Sequence, residues 1–283
     1  MPTSTVPGAT LYYEAQGSGP VLLMIPGGPA DAGVFAGLAA RLADRYTVVA
    51  YDPRGNSRSA VADPSLDQDM DVHADDAARL LAELGDEPAY VLGSSGGAQI
   101  GLNLAARHPE RVRVLVAHEP PCVRLLPDGE EVRAGMREVY ETYRADGVQA
   151  GMARFEALAG MRRRTPDNLG GPSPAGAGAA PGAGPGAALA AMVARIGGNL
   201  DYFLARGLRP ISDFVPDVAA LRDGAPRIVV GVGAESEGQL AHRCGLALAE
   251  RLGTAPVVFP GDHGGYGPKA AEFAVTLDRT LTG

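Results

Sequence analysis

Val91-Leu92-Gly93-Ser94-Ser95-Gly96-Gly97-Ala98 joins a run of β-forming residues directly to a run of helix formers, Ala98-Gln99-Ile100-Gly101-Leu102-Asn103-Leu104-Ala105. The junction carries the pattern G-x-S-x-G centred on Ser95, and a strand–turn–helix of this kind projects the serine hydroxyl from the end of a sheet. Gly93 and Gly97 are needed because a side chain in so tight a turn collides with the neighbouring strand or helix. The backbone N–H of Gly96 opens the helix and points at any oxyanion that develops on an acyl group held by Ser95. Ser94 is the adjacent rival, but no glycine stands two positions before it. The pattern alone is a short string in a glycine-rich chain; the strand before and the helix after are what make it specific. This stretch predicts a serine nucleophile at Ser95.

The alternation of strand and helix extends outward from this turn. Residues 21–25 are wholly apolar, as in a strand buried on both faces, and residues 3–6, 11–16, 46–51, 89–92 and 112–117 also read as strands. Residues 34–44 carry apolar positions at helical spacing, and so do residues 70–84, which have Asp69 or Asp71 near their start and Gly85 at their end. After Glu119-Pro120-Pro121 the alternation stops. Residues up to about 217 read as helical, most clearly 130–145, 148–163 and 187–196. Sheet structure resumes with strands 227–231 and 256–259 and helices 239–251 and 269–281. The prediction is an α/β chain with a mostly parallel central β-sheet flanked by helices on both faces. Its core is formed by residues 1–119 and 218–283, separated by a helical insertion of residues 120–217. Within the insertion, residues 170–186 are almost entirely Gly, Ala and Pro; they can bury little apolar area and are expected to be mobile.

With 283 residues, 46% of them hydrophobic, the chain can bury a large core as one domain with an inserted subdomain. A net charge of −8 argues against general affinity for nucleic acid or an anionic membrane, and Arg162-Arg163-Arg164 is too short to reverse that. Cys122 and Cys244 form neither a disulfide framework nor a metal-ligand spacing, which fits a reducing compartment. No basic leader with an apolar run follows Met1, and no 18 apolar residues run unbroken. A soluble, cytoplasmic protein without metal or cofactor is expected.

Four segments in fixed order resemble the α/β-hydrolase superfamily, over almost the whole chain outside the insertion. Pro26-Gly27-Gly28-Pro29 follows the first buried strand, where the family builds half of its oxyanion hole. Asp52-Pro53-Arg54-Gly55-Asn56-Ser57-Arg58-Ser59 is similar to the family's D-x-R-G-x-G-x-S turn, with Ser57 in place of a glycine. The serine turn is third, and Gly261-Asp262-His263-Gly264-Gly265 lies where the family keeps its histidine. The resemblance implies the α/β-hydrolase fold, an inserted helical cap after Glu119, and an oxyanion hole made by the backbone N–H groups of Gly28 and Gly96. Pro26 replaces the family's usual histidine, a small departure because backbone donors need no particular side chain there.

A serine nucleophile needs a base that takes its proton and returns it to the leaving group, and a neutral imidazole suits that task. Of the five histidines, His73 and His242 read as surface residues, His108 as a helix-end residue, and His118 as one that can line a pocket beside Glu119. His263 alone follows a C-terminal strand on a glycine-rich loop able to reach Ser95. The acid departs from the family pattern. Its usual position, three residues past Gly233, is Ser236, which cannot hold an imidazolium; Glu235 and Glu237 flank it. Some relatives, haloalkane dehalogenases among them, place the acid at the end of the strand after the elbow helix, and Glu119 stands there. Glu119 is the preferred acid and Glu235 the alternative; a rival role for Glu119 is an ion pair with an arginine of the insertion. Asp52 and Arg54 read as structural, pinning the turn after strand 46–51.

The expected function is hydrolysis of an ester, lactone or similar acyl bond in a small-to-medium molecule, through an acyl-Ser95 intermediate. Dehalogenases and epoxide hydrolases of this fold carry an aspartate at the elbow, so Ser95 argues against both. Pro26-Gly27-Gly28-Pro29 is also similar to the H-G-G-P-G of proline iminopeptidases, without its histidine, and nothing in the insertion selects for an amino terminus. A non-hydrolytic lyase or cyclase, or a catalytically silent binding protein, are the alternatives on the same fold.

Overall fold

The computed structural model describes residues 2–161, 185–224 and 226–283. Nine strands form one sheet in the order β1-β2-β4-β3-β6-β7-β8-β9, with the two-residue β5 (Ala60–Val61) beside β2. The first two, β1 (Thr3–Val6) and β2 (Ala9–Gly17), are antiparallel, and β2 runs antiparallel to β4 (Thr47–Tyr51). From β4 onward every pairing is parallel, through β3 (Val21–Ile25), β6 (Ala89–Ser94), β7 (Val112–His118), β8 (Arg227–Gly233) and β9 (Val257–Phe259). Parallel neighbours need long crossovers, and these are helical.

Helices cover both faces. On one lie α2 (Met70–Leu84), α3 (Gly96–Arg107), α8 (Val218–Asp223) and α9 (Leu240–Leu252), packed with Leu23, Ile25, Val49, Val91 and Leu115. On the other lie α1 (Ala36–Leu42) and α10 (Ala270–Thr282), packed with Leu22, Met24, Leu92 and Phe259. The strand residues alternate between the two cores, which is why the sequence shows unbroken apolar runs there. The Asp69 side chain caps α2 by accepting from the N–H groups of Asp71 and Val72, as its position before the apolar stripe predicts.

Between β7 and β8 the chain leaves the sheet. The described part of this insertion contains α4 (Gly129–Asp146), α5 (Val148–Ala159), α6 (Pro185–Tyr202), a π-helical turn (Phe203–Gly207) and α7 (Leu208–Asp213). Helix α5 ends at Ala159, short of the 163 expected, and α6 opens at Pro185, so the last residues of the Gly/Ala/Pro tract are helical. The rest of that tract, and Arg162-Arg163-Arg164, lie outside the described residues.

The insertion is fastened to the sheet domain by polar side chains. Arg195 of α6 pairs with the fully buried Asp31 at 2.6 Å. Asn199 donates to the Pro29 carbonyl and the Ser57 hydroxyl at 2.8 Å each, and accepts from the Ser57 N–H at 2.7 Å. Ser57 has φ 50°, a left-handed conformation that a glycine adopts more easily. Its two hydrogen bonds to Asn199 offset that strain, which accounts for a serine where the family motif has glycine. Gln99 of α3 donates to the carbonyls of Pro121 and Ile211, at 3.0 Å each, tying both ends of the insertion to the elbow helix.

Candidate active site

The turn between β6 and α3 holds Ser95 at φ 57° and ψ −126°, strained for any residue with a side chain. Two contacts show why the sequence around it must be small. A Cβ on Gly97 would lie 2.1 Å from the Ile25 carbonyl oxygen, and one on Gly93 would lie 2.4 Å from that of Gly97. The Ser95 N–H donates to the His118 carbonyl at 2.9 Å, so the turn is also fixed to the end of β7. Ser94 is buried and its hydroxyl has no partner among the described residues, whereas Ser95 faces a cavity.

Gly27 and Gly28 bring the loop after β3 against this turn. A Cβ on Gly27 would fall 2.6 Å from the Ser95 Cβ, so only glycine permits the approach. A Cβ on Gly96 would lie 3.3 Å from the Gly28 nitrogen, so these two glycines are immediate neighbours. Their N–H groups donate to no acceptor among the described residues. The Asn56 amide holds the loop in place by donating to the carbonyls of Gly28 (2.9 Å) and Ala30 (3.0 Å).

Glu119 follows the last residue of β7 with φ 49°, its N–H bonded to the Gly231 carbonyl at 2.9 Å. Its carboxylate is fully buried. One oxygen accepts from His263 Nδ1 at 2.6 Å; the other accepts from the Gly233 N–H at 2.9 Å and lies against the Ser236 hydroxyl. Burial by itself raises the Glu119 carboxyl, but the hydrogen bond and charge of His263, with help from Ser236, outweigh it and hold the group at about 2. Glu119 is therefore ionised throughout the neutral range. Its described ion pair is with His263, and no arginine of the insertion joins it among the described residues. Glu235, the alternative acid, is exposed and makes no side-chain hydrogen bond or ion pair with His263; its N–H donates to the Gly261 carbonyl at 2.9 Å. Glu237 is exposed as well.

Ser95, Gly28, Gly96 and His263 line one cavity of about 400 Å³ between the sheet domain and the insertion. No hydrogen bond joins Ser95 to His263, a separation that substrate binding commonly closes. The remaining wall is mostly apolar, with Met136, Met152, Phe155, Leu200, Phe203 and Leu208 prominent. Among the described residues no lysine or arginine lines it, and Glu156 is its one carboxylate.

Two histidines differ from their sequence reading. His73 is buried, not at the surface: Met70, His73, Ala74 and Ala77 share one stripe of α2, and that spacing was the signal, masked by the acids around it. His118 does not line the cavity; it is buried edge-on against Phe259 and Phe273, with both ring nitrogens unpartnered among the described residues. Burial, opposed by the charge of Glu119, pushes the His118 imidazole down from its ordinary 6.5 to about 4. A histidine neutral in the fold but protonated when unfolded favours unfolding as pH falls. Its contribution is complete above about pH 6.5 and is lost between there and about pH 4, with a slope of about 1.4 kcal/mol per pH unit. In His118→Phe the pH dependence of urea-unfolding stability across that window is expected to be shallower by about this amount; an unchanged slope would contradict the assignment. Asp52 and Arg54 are structural, as expected: buried Asp52 accepts from the Ala32 and Arg58 N–H groups and from the Arg58 guanidinium, and Arg54 pairs with Asp76.

Comparison with known proteins gives a consistent picture. A family model described as alpha/beta hydrolase fold matches residues 20–185. An uncharacterized hydrolase of Bacillus subtilis, YraK, is 36% identical over 285 aligned positions, covering 99% of this chain and 95% of the relative. Among solved structures, a thermophilic esterase from Thermogutta terrifontis superposes with a TM-score of 0.73 at 20% identity, over 99% of this chain and 96% of that one. The enol-lactonase of Burkholderia xenovorans gives 0.67 at 19% identity, over the full length of both. Strand order, the serine turn between β6 and α3, the insertion after β7 and these matches agree: the chain belongs to the alpha/beta hydrolase family.

Proposed function

We propose that this protein is a serine hydrolase that cleaves an ester, a lactone or a similar acyl bond through an acyl-Ser95 intermediate. The observation that carries the reading is the buried His263–Glu119 pair opening onto the cavity that Ser95 faces. With Nδ1 donating to an ionised carboxylate, the neutral ring of His263 keeps its lone pair on Nε2, the state a general base needs. In this reading Ser95 Oγ attacks the acyl carbon as Nε2 takes its proton. The carbonyl π pair moves to oxygen, where the N–H groups of Gly28 and Gly96 stabilise the charge. Collapse expels the leaving oxygen, which receives the proton from His263. Water, deprotonated by the same nitrogen, then attacks the acyl carbon and releases the acid and free Ser95. The described helices of the insertion, within residues 121–161 and 185–213, act as a cap that supplies the acyl-binding wall.

The cavity's lining supports an apolar, uncharged acyl group of moderate size. Burying such a group is worth about 25 cal/mol per Å² removed from water, and an anionic one would meet the Glu156 carboxylate. Ester and lactone cleavage are also the activities named for the two solved neighbours. A fluorophosphonate probe tests the reading. The folded wild-type protein is expected to label covalently at Ser95, located by peptide mass spectrometry. Folded protein that resists the probe would sink the proposal in favour of a silent binding protein.

A further inference from the structure

A second, much smaller cavity of about 10 Å³ touches Gly28 and Gly96, the two glycines that also line the larger cavity and are proposed above as oxyanion donors. Its wall includes Asn56, His73 and Gln68, set among apolar neighbours. Three polar atoms there have no partner among the described residues: Asn56 Oδ1 and both ring nitrogens of His73. Both side chains are almost wholly buried, Asn56 at 1% and His73 at 2% exposure. A buried polar atom left unpaired costs about 1–3 kcal/mol, and three on one small wall point to a shared partner. The volume suits a single water, which needs roughly 10–15 Å³ and two or more polar contacts.

We propose that one ordered water occupies this chamber, accepting a hydrogen bond from the His73 ring and donating one to Asn56 Oδ1, and that His73 thereby acts as a positioning residue for the oxyanion loop. Burial, with the nearby Arg54 charge, holds His73 at about 3, so its ring is neutral and offers one donor and one acceptor at working pH. The chain of contacts is short. Asn56 must point its NH₂ at the carbonyls of Gly28 and Ala30, because two carbonyls can only accept. Its oxygen is then forced into the chamber, and the water held by His73 satisfies it there. Without that water the amide is left half-paired, its hold on the Gly28 and Ala30 carbonyls loosens, and the preceding Gly27–Gly28 peptide, which carries the Gly28 N–H, loses the anchor that orients it toward the acyl oxygen. The positioning role rests on the serine-hydrolase reading; the water site does not.

The test has two arms. In a high-resolution crystal structure of the full wild-type chain, one water is expected within hydrogen-bonding distance of both Asn56 Oδ1 and a His73 ring nitrogen. A chamber without solvent density overturns the proposal whether or not the protein turns over any ester, and even if the variants fail to fold. In the second arm, His73→Leu and His73→Gln are compared with wild type on a p-nitrophenyl ester. His73→Leu is expected to lower kcat by roughly tenfold to a hundredfold, below the ~10²–10³ lost when an oxyanion donor itself is removed. KM should change less than about threefold, because ground-state contacts are untouched. His73→Gln, which keeps a donor and an acceptor, should recover most of the lost rate. A wild-type kcat in His73→Leu, or equal losses in both variants that follow their melting temperatures, overturns the positioning role. Failure of the hydrolase reading looks different, since wild-type protein would then resist the fluorophosphonate probe.

Discussion

Ser95→Ala is expected to lower kcat on an activated ester by about 10⁴-fold or more while leaving the circular-dichroism spectrum and melting temperature close to wild type. The side chain that is lost faces the cavity and holds none of the fold's hydrogen bonds; the turn is fixed through the backbone, by the Ser95 N–H on the His118 carbonyl. On the proposed mechanism what disappears is the nucleophile, and the remaining oxyanion donors with bound water would supply only the residual rate. His263→Ala should cost a comparable factor, because a nucleophile and its base act as a unit and their losses do not add. The double variant should therefore be little slower than either single one. Either single variant retaining more than about a tenth of the wild-type rate would remove Ser95 and His263 from the chemistry.

The second large effect separates the two acids. Glu119→Gln is expected to reduce kcat by several powers of ten, roughly 10⁴ by analogy with amide replacement in a serine triad. The amide oxygen can keep the contacts with the Gly233 N–H and Ser236, so the fold around it is preserved. Its NH₂ then faces His263 Nδ1 and must donate to it. The imidazole is thereby driven to the tautomer with its proton on Nε2, which cannot accept a proton from Ser95. Glu235→Gln should change kcat by less than about tenfold, since an exposed carboxylate acts on His263 only through screened solvent. Stopped-flow or steady-state kinetics on the two purified variants decide between them. An inactive Glu235→Gln beside an active Glu119→Gln would move the acid to the loop after β8.

Local chemistry was legible and tertiary selection was not. Gly93, Ser95 and Gly97 announce their turn because its steric demands act on adjacent residues. The apolar runs announce the parallel strands because both faces of each strand are buried. Helix α2 matched residue for residue, since its capping Asp69, apolar stripe and terminal Gly85 all lie within one segment. The choice between Glu119 and Glu235 had no such local signature. It depends on β7 and β8 being neighbours in the sheet, with Gly231 beside His118, and on a left-handed backbone at Glu119 that turns the carboxylate under His263. His73 reads as a surface residue because Asp71, Asp75 and Asp76 outweigh the helical spacing that buries it. Asn199 and Arg195 carry no signal in the sequence, because a polar residue on a long helix says nothing until its partner, Ser57 or Asp31, is brought opposite it.

The hydroxyl of Ser236 rests on the same carboxylate that holds His263. If Glu119 orients His263 as proposed, position 236, in the loop after β8, stands within one hydrogen bond of that acid at the end of β7 and is a second seat a carboxylate could take. Ancestry can move a charge between them without moving the imidazole, by a single codon change at either place. The order of the changes matters. An aspartate gained at 236 before Glu119 is lost would crowd two anions around one ring, and one of them would stay protonated at neutral pH. On the proposed mechanism such an intermediate would still have one ionised acid to orient His263 and would keep activity. Loss of Glu119 first leaves an enzyme with no acid at all. With the acid role proposed for Glu119, the site would thus permit migration of its acid in one order of events and block it in the other.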